Sequence, residues 1–413
     1  MPLAGSRILM TAENTVNFNR TISVLHVRSV VGRGGGADKT TLNSPRYLKN
    51  TRYRAVAAYL YPPGDTGFQA IRTRAKAWDC PLEAFPDRGA LDISVTWRLH
   101  ALCRRSDVRI WHGHEYKSNL IGWLLRPFFR FHLVSTAHGW VERSPKLNLF
   151  YAIDRWVLRR YDRVIAVSAD LMEICIESGV KPENLRLIEN AIEVRDFVRE
   201  GSPSSAPGRT GEVARLLTGR VVPDGRLVIG AVGRLSPEKG FDLLIEAMAR
   251  LCARGLDLEL WIAGEGPREA ALRHAIAKTG CADRIHLLGF RPDTVALFEC
   301  FDIFCLPSLR EGLPNVVLEA MAMAVPVLAT RCGGIEAALR DGEDCSLIPP
   351  GSVDALEQGL LNLVGDEQKR QRLAARGLER VKSEFSFRRR MDKVIAVYDE
   401  LCADEPQCAD EPQ

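Results

Sequence analysis

Short apolar runs alternate with amphipathic stretches along nearly the whole chain. Ile22-Ser23-Val24-Leu25-His26-Val27 reads as a buried strand, and Tyr53–Leu60, Val108–His112, His132–Ser135, Val164–Val167 and Leu185–Ile188 read as further strands with helical patterns between them. A Gly/Ser/Pro stretch, residues 201–208, then breaks the periodicity. The pattern restarts with strands at Leu227–Val232, Leu258–Ala263, Ile285–Leu288, Ile303–Leu306, Val325–Ala329 and Ser346–Ile348. Strands that alternate with helices predict α/β architecture, parallel sheets covered on both faces, and here two doubly wound Rossmann-like domains facing each other across a cleft. The divisions fall at residues 20–200 for the first domain, 201–224 for a linker region, 225–384 for the second domain and 385–401 for a terminal helix.

Residues 1–19 carry no periodicity and are expected to fray. Residues 402–413 repeat one acidic hexapeptide, Cys-Ala-Asp-Glu-Pro-Gln, twice, and are expected to form a disordered tail.

At 413 residues, 46% hydrophobic and 26% charged, the chain has the composition of a soluble globular enzyme. Its 11 cysteines are odd in number, show no C-x-x-C pair and mostly sit in apolar runs, which argues against a disulfide framework and for a reducing compartment, the cytoplasm. No run approaches 18 apolar residues, and the first twenty lack an apolar core followed by a cleavage site, so neither a spanning helix nor a secretory leader is expected.

The net charge of +4 hides an asymmetry. Residues 20–200 hold 29 Lys/Arg against 19 Asp/Glu, whereas residues 201–413 hold 26 against 32. Between Arg98 and Arg163 there are 13 basic and 5 acidic residues, interleaved with Trp111, Tyr116, Trp123, Phe128, Phe129, Phe131 and Trp140. Such a surface is drawn to anionic headgroups, so a peripheral position at the inner face of the cytoplasmic membrane is expected.

The chemistry concentrates after the strand Ile303–Leu306. Glu311 and Glu319 bracket Gly312-Leu313-Pro314-Asn315-Val316, a strand-to-turn-to-helix sequence. Amide groups at a helix N-terminus form an anion site, and a carboxylate on either side of a phosphate suits a sugar on one flank and a ribose on the other. Gly233-Arg234 and Lys239-Gly240 follow the strand Leu227–Val232; an arginine and a lysine beside a helix start suit a diphosphate, although solvated surface cations have the same look. Gly264-Glu265-Gly266-Pro267 reads on its own as a plain strand-to-helix turn.

The Glu311–Glu319 segment resembles the E-x7-E signature of the retaining glycosyltransferases of family 4, a GT-B group that includes bacterial exopolysaccharide enzymes. Arg234 and Lys239 match that family's G-R-x-x-x-x-K-G element, Gly264 its G-x-G-P turn, and Leu288-Gly289-Phe290-Arg291 the segment whose backbone meets the base. The resemblance implies transfer of a sugar from a nucleotide diphosphate sugar, UDP first among the bases, to a glycan or lipid-linked acceptor in cell-envelope polysaccharide synthesis. Glu311 would orient the sugar, Glu319 bind the ribose, and Arg234, Lys239 and the N–H groups near Leu313–Val316 hold the phosphates, with Gly312 and Pro314 in the same donor-binding turn. No D-x-D motif is present, so no metal or other cofactor is expected. Nucleic acid is not expected as a partner either. The resemblance also implies that the helix 385–401 crosses back to the first domain.

In the first half, Gly34-Gly35-Gly36 does not match G-x-G-x-x-G and resembles the acceptor-side glycine loop of GT-B enzymes, with Ala37-Asp38-Lys39 where many members place a glutamate. His138, at a strand's C-terminal end, resembles the histidine that faces the donor sugar. His112 and His114 lack a third ligand at metal-like sequence spacing, so zinc is not expected, and His114 is placed on the acceptor side. Other readings of the same fold are a nucleotide-sugar epimerase, a phosphorylase, or a non-catalytic carbohydrate- or lipid-binding scaffold.

Overall fold

The computed structural model describes residues 21–90, 92–140, 145–197, 222–223 and 225–403. The first half holds strands β1 (Ile22–Ser29), β2 (Tyr53–Tyr61), β3 (Leu82–Pro86), β4 (Val108–Gly113), β5 (His132–Ala137), β6 (Arg163–Ala166) and β7 (Leu185–Leu187). Between them lie helices α1 (Gly36–Leu48), α2 (Phe68–Ala77), α3 (Ile93–Arg105), α4 (Tyr116–Leu125), α5 (Pro145–Leu158) and α6 (Ala169–Glu177). The second half holds β8 (Leu227–Val232), β9 (Leu258–Ala263), β10 (Ile285–Gly289), β11 (Ile303–Leu306), β12 (Val327–Thr330) and β13 (Ser346–Ile348). Its helices are α7 (Phe241–Ala253), α8 (Glu269–Ala277), α9 (Thr294–Cys300), α10 (Asn315–Ala322), α11 (Gly333–Ala338), α12 (Val353–Val364), α13 (Glu367–Glu384) and α14 (Phe387–Leu401).

Both sheets are parallel, ordered β3-β2-β1-β4-β5-β6-β7 and β10-β9-β8-β11-β12-β13. Each order reverses direction once, at β1/β4 and at β8/β11, and loops leaving the carboxyl ends of strands at such a reversal open a crevice. The central strands are apolar on both faces because helices cover both; in β9 all six residues are buried. Helix α7 buries Phe241, Leu244, Ile245, Met248 and Leu251, the three- and four-residue spacing of one helical face. Gly230 in β8 has no alternative, since a Cβ there would lie 2.1 Å from the Phe301 ring.

Three differences from the sequence expectations have physical causes. Strand β3 was not anticipated: it is a five-residue edge strand, only Phe85 in it is buried, and it ends on a proline, so it lacks an apolar run. Strand β12 starts at Val327 rather than Val325, after Pro326, which has no N–H for a ladder. The glycine loop is shorter than read, because α1 begins at Gly36 and Asp38 caps it by accepting from the Gly35 amide at 2.7 Å.

Helix α14 packs on the first sheet. Phe387, Met391, Val394, Val397 and Tyr398 join Ile22, Val24, Tyr53, Ile110, Val134 and Ile165 in one core. The chain passes between the halves where Ile192 and Ser386 bridge, with the Ile192 amide on Phe385 O and the Phe387 amide on Ile192 O. Cys402, the first residue of the repeated hexapeptide, is buried in that same core, so the tail begins after it; the remainder of the repeat beyond Ala403, most of the linker region and residues 1–20 lie outside the described residues. No disulfide joins the described cysteines.

Candidate active site

The two crevices face each other, and the loops that close them touch. On the second-domain side, the turns after β8 and β9 press together: the Gly233 amide bonds Ala263 O and the Leu235 amide bonds Glu265 O, both at 3.0 Å. Gly264 is required there, at φ +150° with Gly233 O where a Cβ would stand. Arg234 is carried outward by this turn, exposed and without an ion-pair partner among the described residues. Lys239 closes a 3-10 turn ahead of α7, and Gly240 at φ +64° lets the chain pass Pro307 O.

Helix α10 starts at Asn315 with Pro314 as its cap, so the Asn315 and Val316 amides fall outside the helix's own ladder, while the Val317 amide bonds Pro314 O at 3.1 Å. Gly312, Leu313, Pro314 and Val316 form the approach to that end. Glu311, just before it, takes an ion pair from Lys239 and a hydrogen bond from Ser308 Oγ at 2.9 Å. Glu319 lies within the helix and is fully buried; its Oε1 accepts from Lys39 Nζ at 2.5 Å, while its Oε2 has no partner. The Asn315 Oδ1 is likewise buried and unpartnered, although its Nδ2 reaches Gly36 O at 3.3 Å. Buried acceptors are nearly always satisfied, so two orphans on one short helix mark a place built for a hydrogen-bonding ligand.

The first domain therefore supplies part of the constellation around α10. Lys39 of α1 reaches Glu319, Gly36 meets Asn315, Arg33 lies 4.5 Å over the Phe290 ring, and Asn190 Nδ2 bonds Leu313 O at 2.9 Å. Gly34 and Gly35 lead into α1, and Gly34 adopts φ +72°. Lys39 and Asn190 escaped the sequence reading, because a lysine on a helix and an asparagine in a loop carry no signal until the other domain is in place.

On the first-domain side a cavity of about 510 Å³ is lined by the loops after β1, β4 and β5 with α4 and α5. Arg28, Asp38, His114, Glu115, His138 and Asp154 border it. Asp38 holds the Arg28 Nε at 2.6 Å; burial, the largest single influence, lowers the guanidinium's pKa, but the charge and hydrogen bond of Asp38 together with Tyr59 and Glu115 outweigh it and the pKa is raised. Burial pushes the Asp154 carboxyl up to about 6, against hydrogen bonds from Asn119 Nδ2 and Trp140 Nε1 at 2.8 Å each. Glu115 caps α4 through the Lys117 and Ser118 amides and takes Ser29 Oγ at 3.0 Å.

His138 borders the cavity with its Nε2 3.3 Å from His114 Nδ1. His112 and His114 do have a third imidazole near them, His26, with ligand-type atoms of the three within 4.8 Å of one another. Sequence spacing missed it because His26 and His112 are register partners on the parallel neighbours β1 and β4, 86 residues apart in the chain. All of their nitrogens but one, His26 Nε2, are already engaged. His26 Nδ1 meets His114 Nε2 at 2.9 Å, and His112 meets Tyr398 OH at 2.6 Å and Thr136 Oγ1 at 2.8 Å.

Two family models match the chain: "Glycosyl transferases group 1" over residues 226–399 and "Glycosyl transferase 4-like domain" over residues 35–191. The D-inositol 3-phosphate glycosyltransferase of Corynebacterium glutamicum is 27% identical over 313 residues, 71% of this chain and 72% of its own. The 2-deoxystreptamine glucosyltransferase of Streptomyces kanamyceticus is 27% identical, over 62% of this chain and 65% of its own. In fold the chain is similar to Anabaena HepE, solved with UDP-glucose, at TM-score 0.78 and 21% identity, covering 92% of this chain and all of that one.

Proposed function

Because the chain belongs to the group 1 glycosyltransferases, built as two Rossmann-like domains of GT-B type, we propose that it moves a sugar, with retention, from a nucleotide diphosphate sugar to a hydroxyl of a glycan or lipid-linked acceptor. The observation that carries this is the α10 constellation, where the buried Glu319 Oε2 and Asn315 Oδ1 lack partners on a helix whose entry residue Glu311 is held by Lys239. A ribose hydroxyl donates to Glu319, whose other oxygen Lys39 holds in place. The diphosphate lies against Arg234, Lys239 and the first amides of α10.

As the bond from sugar to phosphate breaks, positive charge builds on the ring and negative charge on the departing phosphate. Fixed cations and amides stabilise that phosphate without reorganising, the role that a divalent metal plays elsewhere. Glu311 orients the sugar hydroxyls, Lys239 dividing its contacts between that carboxylate and the phosphate. The acceptor hydroxyl enters from the first-domain cavity on the face the phosphate leaves, and the phosphate takes its proton. UDP is the leading base, supported by HepE, whose solved complex contains UDP-glucose. Polysaccharide synthesis at the cell envelope is supported by relatives such as the lipopolysaccharide core glycosyltransferase LpsE of Rhizobium meliloti, 32% identical over 46% of this chain.

The test is release of nucleoside diphosphate from UDP-, GDP- and ADP-sugars with membrane glycolipid extract as acceptor, the product's anomeric proton being followed by NMR. One nucleotide class should turn over only with acceptor present and keep its anomeric configuration, and Glu311→Ala should lower kcat by about 100-fold or more. An inverted product, or full turnover in Glu311→Ala, contradicts the reading.

A further inference from the structure

Behind His138 the structure holds a chain of imidazoles with a direction. His138 Nε2 faces His114 Nδ1 at 3.3 Å, His114 Nε2 faces His26 Nδ1 at 2.9 Å, and the buried His26 Nε2 has no partner. His112 stacks on both inner rings, with centroids 4.8 Å from His26 and 4.5 Å from His114, and its own nitrogens are fixed by Tyr398 and Thr136. His26, His112 and His114 are all buried.

A neutral imidazole carries one donor and one acceptor, so the state of one end sets every ring in the chain. Burial holds all four below their ordinary basicity, His26 at about 3, with the Arg390 guanidinium adding to this at His26, His112 and His138, and Arg28 at His114 and His138. Arg390 comes from α14, is 4% exposed, and its Nε has no hydrogen-bond partner. At the buried, unpartnered His26 Nε2 a bare lone pair is favoured over an N–H, since an orphaned buried donor is the costlier of the two, and the Arg390 charge that lowers the basicity of His26 adds to the cost of a donor there. The proton of His26 then sits on Nδ1 and is given to His114 Nε2; that of His114 sits on Nδ1 and is given to His138 Nε2. This leaves the His138 proton on Nδ1, which has no hydrogen-bond partner among the described residues.

We propose that His26 and His114 are positioning residues that fix His138 as an Nδ1–H donor toward an oxygen of the sugar bound in the cleft. The inference rests on the reading that His138 faces the donor sugar, and it adds which nitrogen acts and what determines it. The same three inner rings could be taken for a divalent-cation site. The neighbouring guanidinium and the doubly engaged His112 weigh against that, and the test includes it.

The experiment is long-range proton–nitrogen NMR on the full chain labelled at histidine nitrogen, with rings assigned by single substitutions, alongside steady-state transfer kinetics. His138 should show the Nδ1–H pattern. His114→Phe, which keeps a ring but no nitrogen, should shift His138 toward the other tautomer and lower kcat roughly tenfold with donor KM little changed. His114→Asn, whose amide keeps a donor near the Nδ1 position, should restore both. His26→Phe serves as the second variant should His114→Phe not fold. An Nε2–H pattern in the unsubstituted protein, an unchanged tautomer in His114→Phe and His26→Phe, or one equivalent of zinc bound by the three inner rings overturns the inference. Undiminished transfer by His138→Ala instead removes the reading on which it rests, whatever the tautomer.

Discussion

Asp154 shows how a single residue couples the first-domain cavity to stability. Its folded pKa of about 6 lies above the ordinary carboxylate value because the carboxyl is buried, so the folded state prefers it protonated. Its contribution is fully present below the unfolded pKa and is lost as pH rises through about 6. Urea unfolding should therefore show stability falling between roughly pH 4 and pH 6 at this group. Asp154→Asn should flatten that slope, while lowering the plateau because an amide cannot accept from both Asn119 and Trp140. An unchanged slope would assign the pH dependence elsewhere. Glu311, Glu319, Arg234 and Lys239 were legible in the sequence because their spacing is local, set by one turn and one helix. His26, Lys39 and Arg390 were not, since each acts through a neighbour on another strand, helix or domain.

At the scale of elements, the donor turn depends on backbones that approach too closely for any side chain. A Cβ on Gly264 would fall 1.8 Å from Gly233 O, and the glycine already holds a backbone angle that other residues avoid. Gly264→Ala should push the Arg234 turn away from its place and weaken nucleotide binding at least tenfold by calorimetry, with a loss of about 1–3 kcal/mol in unfolding free energy. Affinity equal to the unsubstituted protein would mean that the turn does not set the phosphate site. Most strands could be read from apolar runs because a parallel sheet covered on both faces requires them. The edge strand β3 could not, as its exposed face allows mixed residues.

For the whole molecule, the two halves are held together by α1 meeting α10 and by α14 returning to the first sheet. The first domain exposes Ile93, Trp97, Leu124, Phe128 and Trp156, and Arg98, Arg104, Arg130 and Arg160 are exposed as well. Among the described residues no helix is long and apolar enough to cross a membrane. Exposed aromatics interspersed with arginines suit the surface of an anionic bilayer, and we propose that the first domain docks on one. In flotation, vesicles containing anionic lipid should carry the protein up, and Trp97→Ser with Phe128→Ser should leave it at the bottom. Equal flotation on neutral vesicles would remove the electrostatic part of that account.

The central claim is that a nucleoside diphosphate sits at the N-terminus of α10 with its ribose on Glu319. Calorimetric titration of UDP, GDP and ADP into the full chain and into Glu319→Gln tests it most directly. The account predicts saturable binding of one of the three by the unsubstituted protein and roughly tenfold weaker binding by the variant, the scale of one hydrogen bond to a charged group. Binding of none of the three, or equal affinity in both proteins, would contradict it.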